Sequence, residues 1–84
     1  MDKVAFIEQL REIVKPYAKN QAALANINAS TDFINDLKIN SANLVDVVLD
    51  VEEKYDIVIQ NEEMERMLNV QAAMDIVEAK LSEK

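Results

Sequence analysis

The stretch from Asp36 to Tyr55, DLKINSANLVDVVLDVEEKY, decides how this 84-residue chain is read. It opens as a loop and turns into a helix at or next to Ser41, which then runs for about four turns. Leu44, Val48, Val51 and Tyr55 recur at helical spacing and form one apolar stripe that must face a core. The opposite stripe, Ala42, Asp46, Leu49, Asp50 and Glu53, follows the same periodicity but is mostly carboxylate, so it faces water or a partner. A hydroxyl at the mouth of a helix, with an acidic track running away from it, is the feature to explain.

Upstream, Asp2 is placed to cap a first helix whose apolar residues Val4, Phe6, Ile7, Leu10, Ile13, Val14 and Tyr17 cluster on one side. Pro16 lies too deep for a helix-opening proline and ends that helix near Val14 or Lys15. The segment from Tyr17 to Asp32 is rich in Asn and Ala and has no clean period, so it reads as a long ordered loop, with Gln21 to Ala25 able to form an extra turn. Phe33, Ile34 and Leu37 supply apolar anchors before the central helix begins.

Downstream, Asp56 to Asn61 is an apolar run too short to assign by period alone. Asn61, followed by Glu62 and Glu63, reads as the cap of a short helix through Met67, with acids in the first turn where the macrodipole favours them. Asn69 ends it or caps a last helix with Val70, Ala73, Met74, Val77 and Leu81 on its apolar face. The expected architecture is an all-α domain over residues 1–84, a small four-helix bundle with three longer helices and one short one. The chain contains no Gly, so any left-handed turn position falls to Asn, Asp or a strained residue.

Composition narrows the function. Net charge is −7, and its distribution is uneven: residues 1–28 carry four Lys/Arg against three Asp/Glu, while residues 29–84 carry five against thirteen. Such a chain repels phosphate backbones and anionic lipid, so basic protein partners are expected, with no nucleic acid and no membrane. The absence of Cys and His removes the usual zinc sites, disulfides, thiol catalysis and Ser/His triads. No long apolar run is present, and the expectation is a cytoplasmic monomer that is not an enzyme.

A serine at a helix start is ordinarily a capping residue. Its neighbours add to that reading. Asp36-Leu37, Asn40-Ser41, Val45, Val48, Glu52-Glu53, Tyr55-Asp56, Ile59, Glu62-Glu63 and Val70-Gln71-Ala72-Ala73 with Asp75, taken in this order and spacing, resemble the acyl carrier protein family over roughly Phe33 to Val77. The resemblance implies that Ser41 carries 4′-phosphopantetheine, delivered from coenzyme A by a magnesium-dependent phosphopantetheinyl transferase. It implies a thiol-ended arm that holds acyl groups as thioesters for fatty-acid, polyketide or related enzymes. It assigns Asp36, Asp46, Leu49, Glu52, Glu53 and Asp56 to docking on basic patches of the transferase and of acyl-processing enzymes. Phe33, Val45, Val48, Ile59 and Met67 are first of all packing residues; the resemblance makes them candidates to shelter the acyl chain.

The chain also departs from the family pattern. Asn40 stands for the usual Asp before the serine, Ala42 for Leu after it, Asn43 for another acid, Lys38 for a common Gly and Gln60 for a common Pro. Asp50 is an addition. These changes point to a specialised carrier with its own partners rather than the general fatty-acid carrier, or to a copy that is modified inefficiently. The alternatives weighed are a non-covalent acidic adaptor that keeps the carrier fold unmodified, and a divalent-ion sensor built on Asp46, Asp50 and Glu53, which lacks the loop pattern of a calcium hand.

Overall fold

The computed structural model describes residues 2–83. They form five helices: α1 (Lys3–Val14), α2 (Gln21–Ala25), α3 (Ser41–Tyr55), α4 (Asn61–Arg66) and α5 (Val70–Glu83). The all-α expectation holds, with three long helices. The count differs by one, because the possible turn at Gln21–Ala25 is a short helix in its own right. Asn20 makes it possible by accepting a hydrogen bond from the Ala23 N–H at 3.1 Å.

Local chemistry sets the helix ends. The Asp2 carboxylate accepts from the Val4 N–H at 3.0 Å and starts α1, which stops before Pro16 as expected. Asn69 accepts from the Ala72 N–H at 2.8 Å and starts α5. The start of α4 corrects the sequence reading: Gln60 is the cap, and its N–H donates to Glu63 Oε1 at 3.0 Å in a capping-box arrangement. A proline at this position would lack that N–H, so the Gln that departs from the family pattern supplies a donor.

The core joins Phe6, Leu10 and Val14 of α1 to Leu44, Val47, Val48 and Val51 of α3 and to Val70, Ala73, Met74 and Val77 of α5. Val47 was absent from the expected stripe, although it stands three after Leu44 and four before Val51. Phe6 and Tyr55 stack with ring centroids 5.8 Å apart, and the Tyr55 hydroxyl donates to Gln9 Oε1, fastening α3 to α1 a second time. Val4 and Ile34 are corrections in the other direction, at 70% and 38% exposed. Val4 sits in the first turn of α1, and Ile34 lies within a turn whose buried positions go to Phe33 and Leu37.

The segment before α3 is irregular but tightly bonded. Asp32 Oδ1 accepts from the N–H groups of Ile34 and Asn35, while Asp36 Oδ2 accepts from the Asp32 N–H at 2.7 Å. An isolated antiparallel bridge pairs Asp32 with Asn69: the Phe33 N–H donates to the Leu68 carbonyl at 3.1 Å and the Val70 N–H to the Thr31 carbonyl at 3.0 Å. The loop's buried backbone polar groups thus find partners. Leu37 and Ile39 are fully buried, and the Lys38 between them is held at φ 60°. Asp56, at φ 54°, ends α3 in the same region. A glycine-free chain has thus put one residue that tolerates this conformation and one that does not into its left-handed positions.

Two outcomes follow from these features. Replacing Lys38 by Gly relieves the left-handed strain at some cost in unfolded-chain entropy, and should raise unfolding stability in urea by about 1 kcal/mol. The Lys80 ammonium, which donates to Glu63 at 2.8 Å between α5 and α4, and the Gln60 N–H hold the Glu63 carboxyl below its ordinary value of 4.5. Its stabilising effect is therefore complete above pH 4.5 and is lost as pH falls through the lowered folded value. Thermal melts should show a smaller loss of Tm on acidification for Glu63→Gln than for the parent chain.

Candidate functional site

At the mouth of α3 the capping role belongs to Asn40. Its backbone is extended (φ −61°, ψ 139°), and its Oδ1 accepts from the Ala42 N–H at 2.8 Å. The Asn40 carbonyl accepts from the Asn43 and Leu44 N–H groups at 2.9 and 3.0 Å. Ser41 is therefore the first helical residue and is exposed. Its hydroxyl makes no hydrogen bond with the described residues. The capping explanation for this serine is thereby removed: a neighbour does the capping and holds the N–H groups of Ala42, Asn43 and Leu44, and the hydroxyl stands at the positive end of the helix dipole, which favours an anion. The residues present fit a phosphodiester joined to Ser41 Oγ.

Ser41 heads a stripe at i, i+4 and i+8 that the sequence reading only half recognised. Val45 was grouped with the packing residues; it is 43% exposed and lies between Ser41 and Leu49, itself 55% exposed. Together they make an apolar strip extending about 12 Å from the serine along the helix. The exposure follows from the register: with Leu44, Val47, Val48 and Val51 turned inward, position 45 must face out. Asp46 and Glu53, both exposed, lie along the same outward side, as does exposed Asp56 at its far end.

Two carboxylates of the expected docking set also serve the fold. Glu52 is half-buried; its Oε2 accepts from the Ile59 N–H at 2.7 Å and its carbonyl accepts from the Asp56 and Ile57 N–H groups, so it braces the turn after α3. Asp36 is exposed but commits Oδ2 to the Asp32 turn. Asp50, the added acid, accepts from the Tyr17 hydroxyl at 3.2 Å. Burial, and then this bond and the charges of Asp50 and Asp46, raise the Tyr17 hydroxyl above its ordinary value of 10.0. Asp50 thus ties the turn after α1 to α3, a partnership across 33 residues that no local pattern reveals.

Phe33, Val48, Ile59 and Met67 are buried in the common core, as packing residues should be. Among the described residues no group of three or more acids is placed to hold a metal ion, and Asp50 accepts from the Tyr17 hydroxyl. Among those residues, no helix is long and apolar enough to cross a membrane.

Fold and site together define a small helical protein with an exposed hydroxyl at a helix mouth, flanked by an apolar strip and carboxylates. Comparison with known proteins gives the family. The chain is 30% identical over 78 residues to an acyl carrier protein of Brachyspira hyodysenteriae, covering 89% of this chain and 95% of that one. It is 27% identical over 84 residues, the full length of both, to an acyl carrier protein of Coprothermobacter proteolyticus. No family model matches. The chain belongs to the acyl carrier protein family.

The capping assignment has a direct test in chemical denaturation. Asn40→Ala should lower unfolding stability by about 1 kcal/mol. Asn40→Asp keeps the acceptor and adds a charge favoured by the dipole, and should match or exceed the parent by about 0.5 kcal/mol.

Proposed function

We propose that the chain is a cytoplasmic carrier whose Ser41 receives 4′-phosphopantetheine and presents acyl intermediates to separate biosynthetic enzymes. The observation that carries this reading is the division of labour at the helix mouth, where Asn40 caps and the Ser41 hydroxyl is exposed and uncommitted. In the loading step, Ser41 Oγ forms a bond to phosphorus in the pyrophosphate of coenzyme A. The bond from that phosphorus to the bridging oxygen breaks, adenosine 3′,5′-bisphosphate leaves, and the hydroxyl proton passes to a base of the transferase. Magnesium for this step belongs to the transferase complex. When bound, the arm supplies a thiol on which acyl groups ride as thioesters.

The remaining residues act by position. The positive end of the α3 dipole stabilises the phosphodiester charge, since the N–H groups of Ala42, Asn43 and Leu44 already donate to Asn40. Asp46 and Glu53 attract Arg/Lys patches of the transferase and the acyl-processing enzymes, while Val45 and Leu49 provide a short apolar contact that gives the encounter a register. Exposed charges of this kind speed association and weaken with salt, which suits a carrier that must leave each partner quickly. Asp36, Glu52 and Asp56 belong to the same docking set, and Asp36 and Glu52 also hold backbone N–H groups of the fold.

Incubation with a phosphopantetheinyl transferase, coenzyme A and magnesium should add the mass of one arm to the parent chain and none to Ser41→Ala. The variant should keep its helical circular dichroism, since Ser41 makes no capping bond. Failure of the parent chain to gain mass with transferases of differing specificity contradicts the reading. In the same assay Leu49→Glu should slow loading by about tenfold, as expected for about 1.4 kcal/mol lost at a partner interface.

A further inference from the structure

Two peculiarities of the chain have no part in the proposed docking surface: the Asn-rich segment after α1, and Lys38 in place of a residue that accepts positive φ. They meet in one place. A hollow of about 370 Å³ is walled by Asn20, Asn26 and Asn28 on one side and by Asn35, Asp36 and Lys38 on the other. Part of its polar lining is uncommitted among the described residues, while Asn28 uses both side-chain atoms, Thr31 Oγ1 accepts from the Asn28 N–H and Asp36 Oδ2 accepts from the Asp32 N–H. The Asn35 side chain makes no hydrogen bond and the Lys38 ammonium no ion pair; Asn20 uses only its oxygen and Asn26 only its nitrogen. Lys38 precedes Ser41 by three residues, so its backbone lies within about 11 Å of the serine.

Resting on the carrier reading, we propose that this hollow is a docking site for the polar part of the chain's own phosphopantetheine arm. The chemistry is complementary: amide donors and acceptors face a chain containing two amides and a hydroxyl, and Lys38 supplies a cation to the phosphodiester at its root. The left-handed backbone at Lys38 holds a charged side chain at the rim, at a position where Gly would offer none. The arm is thereby parked over the α2 side of Ser41 between partners, away from the strip formed by Val45 and Leu49. Partner binding at that strip then draws it out.

The test uses nitrogen-15 labelled protein before and after loading, with intact mass confirming the arm. Loading should shift the side-chain NH₂ signals of Asn20, Asn26 and Asn35 and the backbone amide of Lys38. In a loaded Lys38→Gly, Asn35→Ala chain the shifts remaining at Asn20 and Asn26 should fall to less than half, with the fold retained because Gly suits the backbone there. Raising salt should reduce the Lys38 shift in the loaded parent. Shifts confined to residues 40–43, or appearing instead at Ile59 and Met67, overturn the docking site while leaving the carrier reading intact. A chain that acquires no arm overturns both.

Discussion

Burial of Leu44, Val47, Val48 and Val51 in a core shared with α1 and α5 is the constraint on which the rest depends. Removing a side chain of this size from water contributes about 1.5–3 kcal/mol, against about 0–1 kcal/mol for an exposed ion pair, so the rotation of α3 is set by its apolar face and not by its charges. Once those four residues point inward, the outward positions are determined. Ser41, Val45 and Leu49 fall on one exposed strip with Asp46 and Glu53 beside it, so the surface proposed for function is the complement of the packing surface.

A second requirement is that α3 begin at the same residue every time. Leu37 and Ile39 are driven into the core on either side of Lys38, the Asp32 and Asp36 side chains close the preceding turn, and the Asp32–Asn69 bridge ties that turn to the start of α5. The cost is a lysine in a left-handed conformation. Asn40 then terminates the loop by capping the helix, and the next residue inherits an exposed hydroxyl with no structural task. On the proposed reading, attachment chemistry one residue beyond the cap is kept apart from the bond that starts the helix.

The long amphipathic helices were legible because their apolar residues repeat at helical spacing and their ends carry Asp2, Pro16 and Asn69. Ser41 was singled out through its neighbours more than through its own chemistry, and the structure adds that it is exposed and is not the cap. What escaped had non-local or conformational causes. The Tyr17–Asp50 bond spans 33 residues. Glu52 sits on a helix face that sequence alone marks as solvent, yet it reaches the Ile59 amide. Val45 and Val47 are one chemical type two positions apart, and only the tertiary packing decides which is buried. Asn61 and Gln60 compete for a cap, and the outcome depends on the reach of Glu63.

The central claim is that Ser41, and no other hydroxyl, carries the arm. The chain has two other serines, Ser30 and Ser82, both exposed. Fragmentation mass spectrometry of the protein isolated from its own cell addresses the claim most directly. The account predicts the added phosphopantetheine mass on the fragment containing Ser41 alone; an arm on Ser30 or Ser82, or a chain wholly unmodified in that cell, would contradict it.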